Sequence, residues 1–151
     1  MKSFEVPKNV TKLSGNAFMS SGITTLTVSP ENPVYDSRDN CNAVIETDTD
    51  KLIIGIYGTK IPETIRTIGS HAFESSHELS TLEIPVGVTT IEDYAFDECG
   101  SLANLTIPKT VKSIGKNLCC QTRWNSDLGH SVTSVSECLT INCVENSAAH
   151  K

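Results

Sequence analysis

The side chains best equipped for chemistry are four histidines (His71, His77, His130 and His150), six cysteines, and a short run of carboxylates, Glu46, Asp48 and Asp50. A histidine base or a cysteine nucleophile works only beside a partner that orients it. These histidines are scattered, and no G-x-S-x-G, H-E-x-x-H, phosphate-loop or dinucleotide glycine pattern accompanies them. The carboxylates alternate along a turn, as calcium ligands do. An EF-hand loop counted from Glu46 would need Gly at its sixth position and Glu at its twelfth, where Lys51 and Tyr57 stand. The segment therefore reads as a solvated hairpin tip. Cys119, Cys120, Cys138, Cys143 and His150 could in principle hold zinc, but their irregular spacing, without a C-x-x-C pair, favours thiols or a disulfide. The expectation is a chain with no catalytic residue, no metal site and no cofactor.

What must position any site is a folded domain. Hydrophobic residues at 38% and charged residues at 20% can form a core. The net charge of −6 repels phosphate backbones, so nucleic acid is not an expected partner. No apolar run approaches the roughly 20 residues that span a bilayer, so membrane insertion is not expected. The opening MKSFEVPKNV has no apolar core of a signal peptide. That leaves a cytoplasmic chain or an exported one whose signal lies outside this sequence.

The strongest signal is a repeat. Pro62, Pro85 and Pro108 each follow an isoleucine and lie 23 residues apart. Ile65/Val88/Val111, Ile68/Ile91/Ile114, Ala72/Ala95/Leu118, Phe73/Phe96/Cys119, Leu79/Leu102 and Leu82/Leu105 keep the same step. A further copy runs from Val6-Pro7 through Ala17-Phe18 to Leu26 and Val28, one residue short between Phe18 and Leu26. A unit of this length cannot bury its apolar face alone, but stacked units share a continuous core. The alternating stretch Leu79 to Ile84 predicts a strand that pairs in parallel with its neighbours in adjacent coils. The following proline ends the ladder. Val88 and Ile91 predict a second short extended run, and Phe18, Phe73 and Phe96 a stacked aromatic spine. Between Asn32 and Lys60 the period breaks: AVIETDTDKLIIGIY predicts two strands around a turn at Thr47 to Asp50. This hairpin enlarges one repeat (30–60) and shares the core through Val44, Leu52 and Ile54.

Residues 1–117 thus read as a mainly β repeat solenoid. Residues 118–151 read as a degenerate terminal repeat that caps it or as a partly disordered tail, for terminal repeats are commonly atypical.

The units resemble those of the BspA-like leucine-rich-repeat family, I-P-x-x-V-x-x-I-G-x-x-A-F-x-x-C-x-x-L-x-x-L. Ile61, Pro62, Ile65, Ile68, Gly69, Ala72, Phe73, Leu79 and Leu82 carry the match, and Ile84 to Leu105 repeats it with Cys99 at the Cys position. Glu92 and Ser76 depart from the family's Gly and Cys. The resemblance implies a right-handed coil and an exported or surface-attached bacterial protein, extracellular or at the cell surface. It also implies adhesion to a protein ligand, such as a host matrix, plasma or neighbouring-cell protein. In such a host the sequons at Asn9 and Asn104 carry no meaning.

With chemistry absent, the expected site is surface. Thr25 and Thr27, Thr81 and Glu83, and Asn104 and Thr106 are the outward positions of the main strands, expected as adjacent rows on one sheet face that grips a partner. Threonine also favours solvated strands with no ligand at all. The readings are therefore a protein-binding adhesion module or, alternatively, a passive spacer or capping segment of a larger surface protein. A poorly capped solenoid end could pair with another chain, which leaves the oligomeric state open.

Overall fold

The computed structural model describes residues 2–125, 130–135 and 140–143, with side chains through residue 119. It is a mainly β solenoid of about five turns with 23-residue spacing. The main strands are β1 (Ser3–Val6), β2 (Thr25–Val28), β7 (Thr81–Glu83), β9 (Asn104–Ile107) and β13 (Thr140–Cys143). Parallel pairing joins β7 to β9 with Leu82 opposite Leu105, and β9 to β13 with Leu105 opposite Ile141. Alternation does what the pattern requires: Leu82 and Leu105 point inward and are buried, while Thr81, Glu83 and Asn104 are exposed. Pro85 and Pro108 follow within two residues, where a missing N–H costs the ladder nothing.

The second extended runs form the opposite wall. β6 (Thr67–Ile68), β8 (Thr90–Ile91) and β10 (Ser113–Ile114) pair in parallel with Ile68, Ile91 and Ile114 in one row. The hairpin strands β4 (Ala43–Glu46) and β5 (Lys51–Gly55) join this wall, where β5 sets Leu52 opposite Ile68. The turn falls at residues 47–50, as expected. A short strand β3 (Tyr35–Asp36) and a 3-10 turn at Arg38–Asn40 precede the hairpin. Both faces of the hairpin are buried. Ala43, Ile45 and Leu52 enter the main core, whereas Val44 and Ile54 enter a smaller core with Val6, Leu26 and Val28. The all-apolar run LII in β5 is what a strand covered on both faces needs. Beyond the coils, β11 (Cys120–Asn125) and β12 (His130–Val135) form an antiparallel pair.

A third ladder runs from the hairpin unit through the coils that follow it. The N–H of Phe73 donates to Ala95, that of Phe96 to Leu118, and that of Gly55 to Ala72. His71, Tyr94 and Asn117, one per coil, precede this ladder with φ of 60°, 59° and 50°. These are left-handed conformations, glycine's usual preserve, adopted here by three residues that are not glycine.

The aromatic spine is shorter than the repeat predicts. Phe73 and Phe96 stack at 5.3 Å with 17° between their planes. Phe18 does not join them. It packs on Phe4 at 4.9 Å and 55°, half-buried, and Ala17 beside it is exposed. The ladder explains the break: Gly55 occupies the equivalent position in the hairpin unit, and the Phe73 ring lies where a Cβ on Gly55 would stand.

The hairpin unit is tied to the first coil by Asn32. Its amide donates to the carbonyls of Pro7 and Val10 (2.8 and 2.9 Å) and accepts from the N–H groups of Val34 and Tyr35 (2.9 and 2.8 Å). Glu92, where the pattern asks for glycine, has a use for its side chain. It accepts from the Ser70 N–H at 2.9 Å and pairs with the Lys51 ammonium at 2.7 Å.

Candidate functional site

Four of the six outward residues come together. Thr81 and Glu83 on β7 stand beside Asn104 and Thr106 on β9 in strict register. With Thr59, Lys60, Ile61, Glu63, Leu82 and Pro85 they line a groove of about 570 Å³. Thr25 and Thr27 are elsewhere. β2 pairs with β1, and where a further strand would dock, side chains substitute: Asn42 Oδ1 accepts from the Leu26 N–H (2.8 Å) and Ser37 Oγ from that of Val28 (3.1 Å). The hairpin unit thus interrupts the expected continuous face, leaving a group of four and a separate pair.

Lys60 and Glu63 are groove residues that pattern reading passed over. Their signal was available: Lys60-Ile61-Pro62 repeats Glu83-Ile84-Pro85, which puts Lys60 in the row of Glu83 and Thr106. The groove therefore offers a cation and two carboxylates, Glu63 and Glu83, all exposed, among hydroxyl and amide groups. Such a surface can hydrogen-bond and ion-pair with a polypeptide. Thr59 is buried and already committed, accepting from the Ile56 N–H at 2.9 Å and donating to the Asn42 carbonyl at 2.8 Å.

The chemically suggestive residues have structural partners. Asp50, at the hairpin tip, binds Arg38 Nη1 at 2.6 Å, and Arg38 also holds Asp36 at 2.6 Å. Burial acts to raise the Asp36 carboxyl, but hydrogen bonds from Arg38 and Thr47 outweigh it and hold the group below the usual carboxylate range. The Glu46 carboxylate accepts from Thr49. His71 Nδ1 lies 2.9 Å from Glu74 while its ring stacks on Tyr94 at 5.0 Å. Among the described residues no group of three His, Cys, Asp or Glu could hold a metal. Of the proposed zinc set, Cys138 and His150 lie outside the described residues, and only the backbone of Cys120 and Cys143 is described. Among the described residues, no helix is long and apolar enough to cross a membrane.

Cys41 and Cys99 are buried. Burial pushes the Cys99 thiol from 9.0 up to about 12, against a hydrogen bond with the Ser76 backbone, and carries Cys41 to about 11. The fold thus holds the neutral form. The stability linked to these thiols is complete below the unfolded value near 9.0 and is lost as pH rises toward their folded values. Mass mapping is expected to find Cys41 and Cys99 unlabelled by iodoacetamide in the native protein at about pH 8, and labelled once urea unfolds it. The melting temperature should hold up to about pH 9 and fall above it, less so in Cys41→Ala/Cys99→Ala. Rapid native labelling of either residue would show that burial does not control it.

A family model described as a BspA-type leucine-rich repeat region matches residues 1–41 and 54–146, in six copies. No curated protein matches. Among solved structures, a leucine-rich repeat protein from Eubacterium ventriosum is similar at 27% identity and a TM-score of 0.63, covering 78% of this chain and 32% of that one. The pneumococcal vaccine antigen PcpA shares the fold at 20% identity and a TM-score of 0.62, covering 79% and 36%. This chain thus spans about a third of each.

Proposed function

Because this chain belongs to the BspA-type leucine-rich repeat family, we propose that it is a non-enzymatic protein-binding segment of a larger bacterial surface protein. The observation that carries this reading is the groove over β7 and β9. There Thr81, Glu83, Asn104 and Thr106 point outward in register beside Lys60 and Glu63. A parallel sheet face of this kind presents fixed, pre-positioned polar groups, so a partner binds without ordering the protein first. The family resemblance implies an exported or surface-attached protein, and on this reading the partner is a host matrix or plasma protein, or one on a neighbouring cell. Thr25 and Thr27, on a separate sheet, are outlying contacts for a partner long enough to pass the hairpin unit.

A passive spacer is the second reading, favoured by Thr81 and Thr106, since threonine also suits a solvated strand that binds nothing. The test is capture from mucosal extracellular-matrix and plasma proteins by wild type and by a variant carrying Thr81→Ala, Glu83→Ala, Asn104→Ala and Thr106→Ala. The adhesion reading expects a partner captured by wild type and lost at least about tenfold in the variant. Equal capture by both moves the contact away from this face, and no capture by either leaves the spacer.

A further inference from the structure

Where the first coil meets the hairpin, the repeat fails twice. The coil is one residue short between Phe18 and Leu26, and the hairpin unit offers Gly55 in place of a phenylalanine. Phe73 leans over Gly55 from one side, and Phe18 turns away toward Phe4 on the other. Lined by Phe18 and Gly55 is a cavity of about 290 Å³, open to solvent. Its apolar lining includes Phe18, Ile23, Ile54 and Ile56, and its lip carries Met19 and Tyr57. Met19 and Tyr57 are 49% and 55% exposed, two of the four large hydrophobics that are exposed among the described residues. Solvated apolar side chains gathered at a concave apolar site are what a binding surface looks like before its partner arrives. Methionine adapts to an incoming shape, and tyrosine anchors it with little loss of freedom.

The cavity's size and charge narrow the occupant. It lies at the small end of ligand pockets, suited to one or two large side chains rather than a cofactor. The charged side chains in its lining, Glu74 and Glu78, are both carboxylates. Lys2 does not line the cavity but stands at its Ser21–Gly22 edge, its ammonium 3.4 Å from the Ser21 carbonyl. We infer that this cavity is a docking site for a peptide segment of a partner protein in which a bulky aromatic or aliphatic residue adjoins Lys or Arg. The apolar side chain enters between Phe18 and Ile54, and the cation meets Glu78 at the rim, with Glu74 adding negative potential from beside His71. An acidic or phosphorylated segment meets repulsion there instead. The site shares no residue with the groove over β7 and β9, so either can fail without the other.

N-acetyl-Phe-Arg-amide and N-acetyl-Phe-Glu-amide, titrated separately into the full chain, test this through the methyl resonances of Ile23, Ile54 and Ile56. The expected result is a saturable shift of these methyls with the Arg peptide and at least tenfold weaker binding of the Glu peptide. Glu78→Lys should reverse that preference. Met19→Ser with Tyr57→Ser removes the apolar lip without adding charge and should weaken the Arg peptide at least tenfold while leaving the melting temperature in place, since both side chains are exposed. The inference is overturned by no saturable shift up to about 10 mM, by equal response to the two peptides, or by a response that the lip variants leave untouched.

Discussion

Phe96→Ala is expected to cost about 3–5 kcal/mol of unfolding free energy, a large share of the total for a domain of this size. Phe96 is fully buried, stacked on Phe73 at 5.3 Å, with its own N–H committed to the next coil at Leu118. In a stack of coils, stability is a sum of terms within and between neighbours, and this ring serves both interfaces of its coil. Truncating it opens a cavity that main-chain ladders on three sides prevent from collapsing. At about 3 °C per kcal/mol, the melting temperature should fall by about 9–15 °C. Phe18→Ala, made for comparison, removes a half-exposed ring that lies off the stack, and about 1 kcal/mol is expected. Urea unfolding of the two variants decides the matter: similar losses at both positions would mean that the spine runs through the first coil after all.

The second large effect is expected at Gly55, through a side chain added rather than removed. A Cβ there lands within the Phe73 ring, and neither the Gly55 backbone, bonded to Ala72, nor the stacked ring has room to withdraw. Gly55→Ala should therefore destabilise by about 1–3 kcal/mol. Because the cost is a collision with one ring, it should nearly vanish when Phe73→Ala is already present, giving a coupling of the same size and opposite sign. Additive losses in the double variant would show that Gly55 is required for its backbone and not for the space above it.

The coil itself was legible because its constraints recur. Leu82 and Leu105, Ile68 and Ile91, and the prolines that end each main strand meet the same neighbours every turn, so residue type reports position. The hairpin turn was legible too, from its polar residues between apolar runs. Its destination was not: that Leu52 pairs with Ile68, on the wall away from the main strands, depends on contacts between units that no local pattern encodes. Nor could the left-handed backbone at His71, Tyr94 and Asn117 be read from types so different; the geometry of the turn imposes it. Of the surface positions, the four on β7 and β9 followed from alternation. Separating Thr25 and Thr27 from them required knowing that Asn42 and Ser37 cap β2. The apolar cavity was the least visible feature, since it arises from a side chain that is missing at Gly55 and a residue that is missing after Phe18.

Glu92 has a consequence for a protein that is pulled. A solenoid anchored at one end and loaded at the other yields by peeling, each coil releasing its ladder before the next one feels the force. The Glu92 carboxylate holds the Ser70 N–H of the preceding coil and the Lys51 ammonium of the hairpin beyond it. Tension that reaches this point meets a side chain that ties three units together in addition to their main-chain ladders, so a higher force for this step than in Glu92→Gly is the result expected when single molecules are pulled.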